Sequence, residues 1–434
     1  MKPDAASNAH FSGWTTLLGA MLAYGCICGD VTYAFGVFLP AMSETMGWSR
    51  SALSGPYSLF LIIGGMLGPL AGAAISRFGA RKNIMAGNLT AALGLAGMSQ
   101  VQELWHAYFF FGVMGGLGLA FAEFLAMTTV VNSWFIRKRS LALGLLLAAG
   151  GIGGFILPPL VGYLMSGYGW RWTWICLGVL HLLLGVVLAG LLIRNTPEEL
   201  GQAPDGRPWA PQGETAASRR VVYSTGVDFT VREAFKTPAL WMILALFSSV
   251  LFVHNIMTTH QVAYLRDLNY SSVTSAAALG LMLGMSILGR LLSGLLGLRF
   301  EGRHLAVFFS ACMGLGVVSL INAQGGIFVY LYAVLTGIGF GGMIVLLPNL
   351  TGAYYGRSHF SRIVGWTTPV VTLASAASPL LAGWLFDQTG RYLAPLSLAA
   401  ALLFVCCLLA VFARPPHPPA SAQISRVFDP IKSD

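Results

Sequence analysis

The sequence predicts an all-α membrane protein of twelve transmembrane helices, arranged as two pseudo-symmetric six-helix bundles. Three observations predict it: 56% of the 434 residues are hydrophobic against 9% charged, the apolar residues fall in blocks of bilayer length, and the two halves repeat each other. Soluble domains carry roughly 25% charged residues, so water is not the main solvent of this chain. About 20 apolar residues at 1.5 Å rise cross a hydrocarbon core. Lipid offers the backbone no hydrogen-bond partners, which makes each crossing a helix; the alternating pattern of a membrane β-barrel is absent.

The first six spans are expected near 14–40, 54–75, 83–101, 104–131, 140–165 and 172–193. A polar, Pro- and Gly-rich stretch follows, NTPEELGQAPDGRPWAPQGETAASRR, which reads as a solvated linker with one short surface helix. Six more spans lie near 238–264, 273–298, 304–323, 327–355, 361–385 and 392–413. The expected domains are a cytoplasmic amino terminus at 1–13, a first bundle at 14–194, a cytoplasmic linker at 195–237, a second bundle at 238–413 and a cytoplasmic tail at 414–434. The first apolar block is long and lacks a basic leading region, so it reads as a retained span rather than a cleaved signal.

Charge supports this map independently. Of the 25 Lys and Arg residues, Arg50, Arg171, Arg266 and Arg391 fall outside and Arg290 lies within a span; all others fall on the cytoplasmic side. That asymmetry is what the positive-inside rule requires, and shifting the map by one span would reverse it. Both termini are therefore expected in the cytoplasm, with the chain a monomer in the cell's inner (cytoplasmic) membrane. The net charge of +9 is spread over short loops without a basic tract, which argues against a nucleic-acid partner.

The stretch GMLGPLAGAAISRFGARK, ending at Lys82, superposes on SILGRLLSGLLGLRFEGRH when Gly72 is set on Gly294, pairing Arg77 with Arg299 and Arg81 with Arg303. Parallel six-span repeats of this kind describe a transporter whose halves rock about a midplane site. An enzyme is not expected: there is no H-E-x-x-H motif, and the glycine sets at Gly115, Gly116 and Gly118 and at Gly337, Gly339, Gly341 and Gly342 lack the Lys-Ser/Thr of a nucleotide loop. No cofactor or metal is expected either. The cysteines all lie in apolar blocks, and Cys26 and Cys28 point to nearly opposite helix faces.

Few residues remain to carry chemistry. Arg290 sits in span 8, where a charge costs about 2.5 to 3.5 kcal/mol on insertion scales. Its repeat partner is Gly68, so the repeat does not demand the charge. A planar guanidinium matches a carboxylate bidentately, which makes Arg290 the leading substrate anchor; the alternatives are a permanent pair with Asp30 or Glu123, or snorkelling to the cytoplasm. Asp30 in span 1 and Glu123 in span 4 are the carboxylates within spans, and both are candidates for proton coupling. His260 in span 7 can bind an anion or relay a proton, with His254 and His181 as weaker candidates. Tyr24, Tyr33 and Tyr332 can orient a carboxylate through their hydroxyls, and Asn349 is a similar candidate.

The segment Gly72–Lys82, GAAISRFGARK, resembles the G-x-x-x-D-R-x-G-R-R motif of the major facilitator superfamily, with Ser76 where an Asp is usual. The repeat at Gly294–Arg303 is more degenerate, with Leu298 at the acidic position. The resemblance covers about residues 14–413. It implies gating or conformational roles for Arg77, Gly79, Arg81, Arg299 and Arg303. WFIRKRSLALGLLLAAGGIGG at Trp134–Gly154 and GDVTYAFGVFLP at Gly29–Pro40 are similar to the monocarboxylate-transporter branch and its bacterial relatives, which include oxalate/formate exchangers. The span 1 lysine of that branch falls at about Val37, the acidic residue before its span 8 arginine at Ser286, and the second basic residue of the oxalate exchangers has no counterpart between Thr367 and Ala382; Arg290 is kept.

The expected function is secondary active transport of a small organic anion, a (mono)carboxylate, coupled to a proton by rocker-switch alternating access. Alternatives are an exchanger of oxalate/formate type and a proton-driven exporter of cationic or amphiphilic compounds that uses Asp30 and Glu123.

Overall fold

Nine helices are long and apolar enough to cross a membrane among the described residues, and ten if the pair Arg50–Met66 and Gly68–Phe78, bent by 53°, is one crossing. They come from a computed structural model that describes residues 11–135, 139–206, 225, 228–297, 299–356 and 360–416. All regular structure in these residues is helical. The expected positions of Arg137, Lys138 and Leu298, most of the linker and both chain ends lie outside the described residues.

Each break in the apolar pattern has a local cause. Pro69 lacks an N–H and opens the Gly68–Phe78 helix, where the bend falls. The segment Leu141–Leu192 is 52 residues long, about 78 Å if straight against a core of about 30 Å. Gly169, at φ 76° and ψ 167°, interrupts it between the spans expected at 140–165 and 172–193; only glycine adopts that backbone without steric cost. Ala80–Met98 is 19 residues long but opens with Arg81, Lys82 and Asn83, which keeps it more polar than the other long helices. Three segments widen into π-helix: Ile27–Tyr33, Tyr108–Gly115 and Leu182–Leu188.

The described residues divide into two compact units. One is built on the chain up to Phe35 together with Leu59–Ala216, the other on Gly36–Ser58 together with the chain from Ala217. In the first, the Ala80–Met98 helix lies along Arg139–His181, around a core that includes Leu17, Ile84, Met127, Trp134, Leu146 and Ile193. In the second, Gly326–Tyr355 runs between Ser272–Leu296 and Gly302–Ile321, and Pro238–Asp267 lies along Phe360–Thr389. Leu70, Trp172, Leu191, Ile327 and Trp366 are each more than half exposed. A surface that apolar is matched by lipid rather than by water.

Helices lack a hydrophobic drive to associate within lipid, so close packing must supply it. Small residues do so in both units. A Cβ built on Gly153 would lie 1.8 Å from the carbonyl oxygen of Gly25, and one on Gly341 would lie 1.9 Å from that of Ser286. Within the linker, the short surface helix expected there is Val231–Phe235, started by a reciprocal capping box between Thr230 and Glu233.

The glycine contact gives a sharp contrast within one helix. Gly153→Ala should destabilise the protein by about 1 to 3 kcal/mol through overpacking. Gly144→Ala, where an added Cβ meets nothing within 4 Å, should be neutral or stabilising by about 0.5 to 1 kcal/mol through helix propensity. Thermal unfolding of the two detergent-purified variants beside the parent checks both.

Candidate functional site

In the first unit the polar groups of the spans gather where the helices depart from α geometry. Asp30 lies in the π segment Ile27–Tyr33 and is fully buried. Its Oδ2 stands 2.8 Å from His181 Nδ1 and accepts from the Cys26 thiol at 3.1 Å. His181 immediately precedes the π segment Leu182–Leu188, and its Nε2 stands 2.9 Å from Asn88 Oδ1. Such bulges recur at functional positions because they re-aim a side chain that an α-turn would bury elsewhere. The sequence ranked His181 below the other histidines and passed over Asn88; no spacing pattern connects residues 30, 88 and 181, which only tertiary folding brings together.

Glu123 marks a second departure. Its φ of −90° and ψ of −130° separate Gly116–Ala122 from Phe124–Trp134, and its Oε1 accepts a long bond from the Cys28 thiol at 3.8 Å. Cys26 and Cys28 thus address different carboxylates. Tyr33 ends the π segment nearly buried, at 9% exposure, and Tyr24 is half-buried against Gly150.

In the second unit Arg290 lies in the Ser272–Leu296 helix, half-buried, one turn beyond the fully buried Ser286. His254 sits within the field of its charge. That imidazole stacks face to face on Phe340, with centroids 3.5 Å apart and planes within 1°. A guanidinium can pair with a carboxylate bidentately. Two further candidates, Tyr332 and Asn349, have different surroundings. Tyr332 is wholly buried with its hydroxyl directed at Met282 Sδ, 3.1 Å away, so it fills the core. Asn349 is exposed and lines a cavity of about 240 Å³ with Ser293, Gly294, Glu301 and Leu305, among the ends of three helices.

His260, the span 7 candidate, lies in a further polar cluster of this unit. Its Nδ1 stands 2.9 Å from the Tyr392 hydroxyl, and its Nε2 stands 2.8 Å from the Pro379 carbonyl and 3.1 Å from Ser54 Oγ. With the ring 1% exposed, both nitrogens are spent internally. Close by, Arg50 grips Asp267 bidentately, Nη1 to Oδ2 at 2.7 Å, and lies over the Phe386 ring at 4.0 Å. Asp387 accepts from the backbone N–H groups of Arg50 and Ser51 at 3.2 and 3.1 Å, capping the Arg50–Met66 helix from another helix. Gly36 lets its backbone approach so closely that a Cβ would lie 2.0 Å from Thr258 O. The sequence did not single out this cluster, although an Arg on one interhelical turn and Asp residues near two others were its available signal.

The loop motif is unevenly engaged. Gly79, at φ 85°, turns the chain between two helices. Arg81 donates through its guanidinium to the Gly190 carbonyl, and through its backbone to Asn195 Oδ1 at 2.8 Å. This is the favourable placement of a cation at a helix carboxyl end. Arg77 is exposed beside the Phe78 ring, Arg303 pairs with Glu301 two residues away at 2.7 Å, and Arg299 is exposed.

Comparison with known proteins agrees with this architecture. The model of the Major Facilitator Superfamily matches residues 20–326 and 287–433. Human monocarboxylate transporter 6 is 28% identical, over 93% of this chain and 81% of its own. Rat monocarboxylate transporter 13 is 27% identical over 90% and 86%, and human monocarboxylate transporter 2 is 26% identical over 88% and 80%. In fold, the chain is similar to a bacterial homologue of the human lysosomal transporter Spinster, with TM-score 0.69, 13% identity and coverage of 93% and 97%. It is likewise similar to a D-xylose–proton symporter, with TM-score 0.68, 13% identity and coverage of 93% and 98%. With both halves of the sequence matched by one family model and membrane-length helices throughout, this chain belongs to the major facilitator superfamily, as a multi-pass secondary transporter and not an enzyme.

Proposed function

We propose that the chain carries a small organic anion, a monocarboxylate, together with a proton across the inner membrane, with both termini and the linker in the cytoplasm. The observation that carries this reading is Arg290, a permanently charged guanidinium set in an apolar helix beside the His254–Phe340 stack. The named function of the monocarboxylate transporters, about 26 to 28% identical, supports the same cargo class. Exchange of the oxalate type is less well supported, because a dianion calls for a second cation and the sequence has none between Thr367 and Ala382. Export of cationic compounds requires Asp30 to be available to cargo, whereas its carboxylate is engaged by His181 and Cys26.

Alternating access needs contacts that hold one state and release in another. On this topology the Arg50–Asp267–Asp387 latch with His260 beneath it lies at the periplasmic ends of the helices. Charge-assisted bonds of this kind contribute about 1.5 to 3 kcal/mol when shielded, less at the half-exposed Asp267. A latch of that size shifts a two-state equilibrium several-fold without freezing it.

Counterflow in proteoliposomes with a mixture of labelled organic acids, with and without a pH gradient, tests the cargo class; failure to move any carboxylate would refute it. Arg290→Ala should lower apparent affinity by at least about 150-fold, the loss of two charge-assisted bonds. Arg290→Lys should restore only part, since an ammonium cannot form the fork. Asp267→Asn should loosen the latch. His260 modification by diethyl pyrocarbonate, read by mass spectrometry, should then be several-fold faster than in the parent protein; equal rates would remove the latch from the transport cycle.

A further inference from the structure

We infer that Asp30 and His181 share a single exchangeable proton, and that this pair, with Asn88 as its positioning residue, is the binding site of the coupling proton; this rests on the proton-coupled reading above. The argument is hydrogen accounting. Asn88 Nδ2 donates to the Ile84 carbonyl at 2.8 Å, so the atom it turns to His181 is Oδ1, which only accepts. His181 Nε2 therefore carries a hydrogen. With that tautomer fixed, Nδ1 holds a proton only when the ring is cationic, yet it stands 2.8 Å from Asp30 Oδ2. Two bare lone pairs at that distance repel. One proton must lie between them, on nitrogen as imidazolium–carboxylate or on oxygen as imidazole–carboxylic acid.

Either way the pair is neutral, and loss of that proton leaves one negative charge. Asp30, His181 and Asn88 are each fully buried, and Cys26 is 3% exposed. Asp30 Oδ1 is buried without a hydrogen-bond partner among the described residues, and the only ion pair of Asp30 among them is with His181. The titratable groups on the surrounding elements are Cys26 and Cys28 on the same stretch, and Glu123 reached through Cys28. None of them supplies a compensating positive charge. Glu123, joined to a thiol at 3.8 Å and only half-buried, has no comparable partner among the described residues.

The step balances simply. One proton from water adds to the Asp30–His181 pair, taking it from one negative charge to none, and the same proton leaves to water on the other side. Moved with one carboxylate, it makes the transfer neutral.

Two measurements separate this site from the cargo reading. In purified protein without cargo, infrared difference spectra across pH should show a carboxyl band that disappears in Asp30→Asn and shifts in His181→Gln. A parent spectrum lacking a pH-dependent band from Asp30 overturns the site whatever the cargo. In proteoliposomes Asp30→Asn and His181→Gln should lose pH-driven net uptake by roughly tenfold or more, within the usual range of coupling energies, and keep carboxylate counterflow. Acid-stimulated uptake of parental size in both variants would overturn the proposal, as would uptake that requires added Zn²⁺ and ignores pH. Arg290→Ala, by contrast, should lose counterflow while retaining the Asp30 band. Should Asp30→Asn fail to fold, Asn88→Ser serves in its place: it frees the imidazole tautomer and should displace the pH profile while the band remains. An unmoved profile there removes Asn88 and the shared proton together.

Discussion

The cost of ionising a side chain away from water governs this protein. A charge near the centre of a spanning helix costs about 2.5 to 3.5 kcal/mol even on lenient scales, and the chain answers that cost differently at each position. Arg50 meets Asp267 in a bidentate pair at the end of its helix, where water still reaches the aspartate. Asp30, fully buried, is set against an imidazole that can hold or return its proton. Glu123 sits where the helix itself is broken. Arg290 stays cationic under all conditions of interest, so its neighbourhood must provide or recruit negative charge.

Backbone irregularity and polarity coincide because each enables the other. A regular apolar helix offers no preferred place for a carboxylate, whereas a π segment turns one residue away from its α position. Asp30 lies within such a segment and His181 adjoins another. The glycine contacts fix where these segments sit. Gly25 and Gly153 bring the helix of Asp30 to within backbone distance of the Arg139–His181 helix, and larger residues there would spread the polar partners beyond hydrogen-bond reach.

The fold was largely legible because lipid leaves the backbone so few options: apolar block length, loop charge and the Gly72/Gly294 repeat each constrain the same map. Gly169 and Pro69 mark breaks that the apolar pattern already suggested. The sites were less legible, for a physical reason. A hydrogen-bond partner is chosen by tertiary geometry, and residues 30, 88 and 181 share no spacing rule. His260 and Tyr332 carried suitable chemistry, but the sequence could not reveal that their polar atoms were already spent, on Pro379, Tyr392 and Ser54 in one case and Met282 in the other. Arg290 was legible because an arginine in an apolar helix is conspicuous without any partner being known.

The proposed cycle follows from where charge is permanent and where it is exchangeable. Arg290 belongs to one compact unit and the Asp30–His181 pair to the other, and coupling is a free energy linking the two binding events. With carboxylate on the arginine and a proton on the pair, both units are locally neutral, and reorientation moves no net charge. With the carboxylate bound and the proton absent, one negative charge must be carried against the membrane potential, at about 2.3 kcal/mol per 100 mV. That penalty alone disfavours the half-loaded passage by roughly fifty-fold at that potential. A strict mechanical interlock is therefore unnecessary: desolvation and the field reject the wrong stoichiometry once one site holds a fixed cation and the other an exchangeable proton.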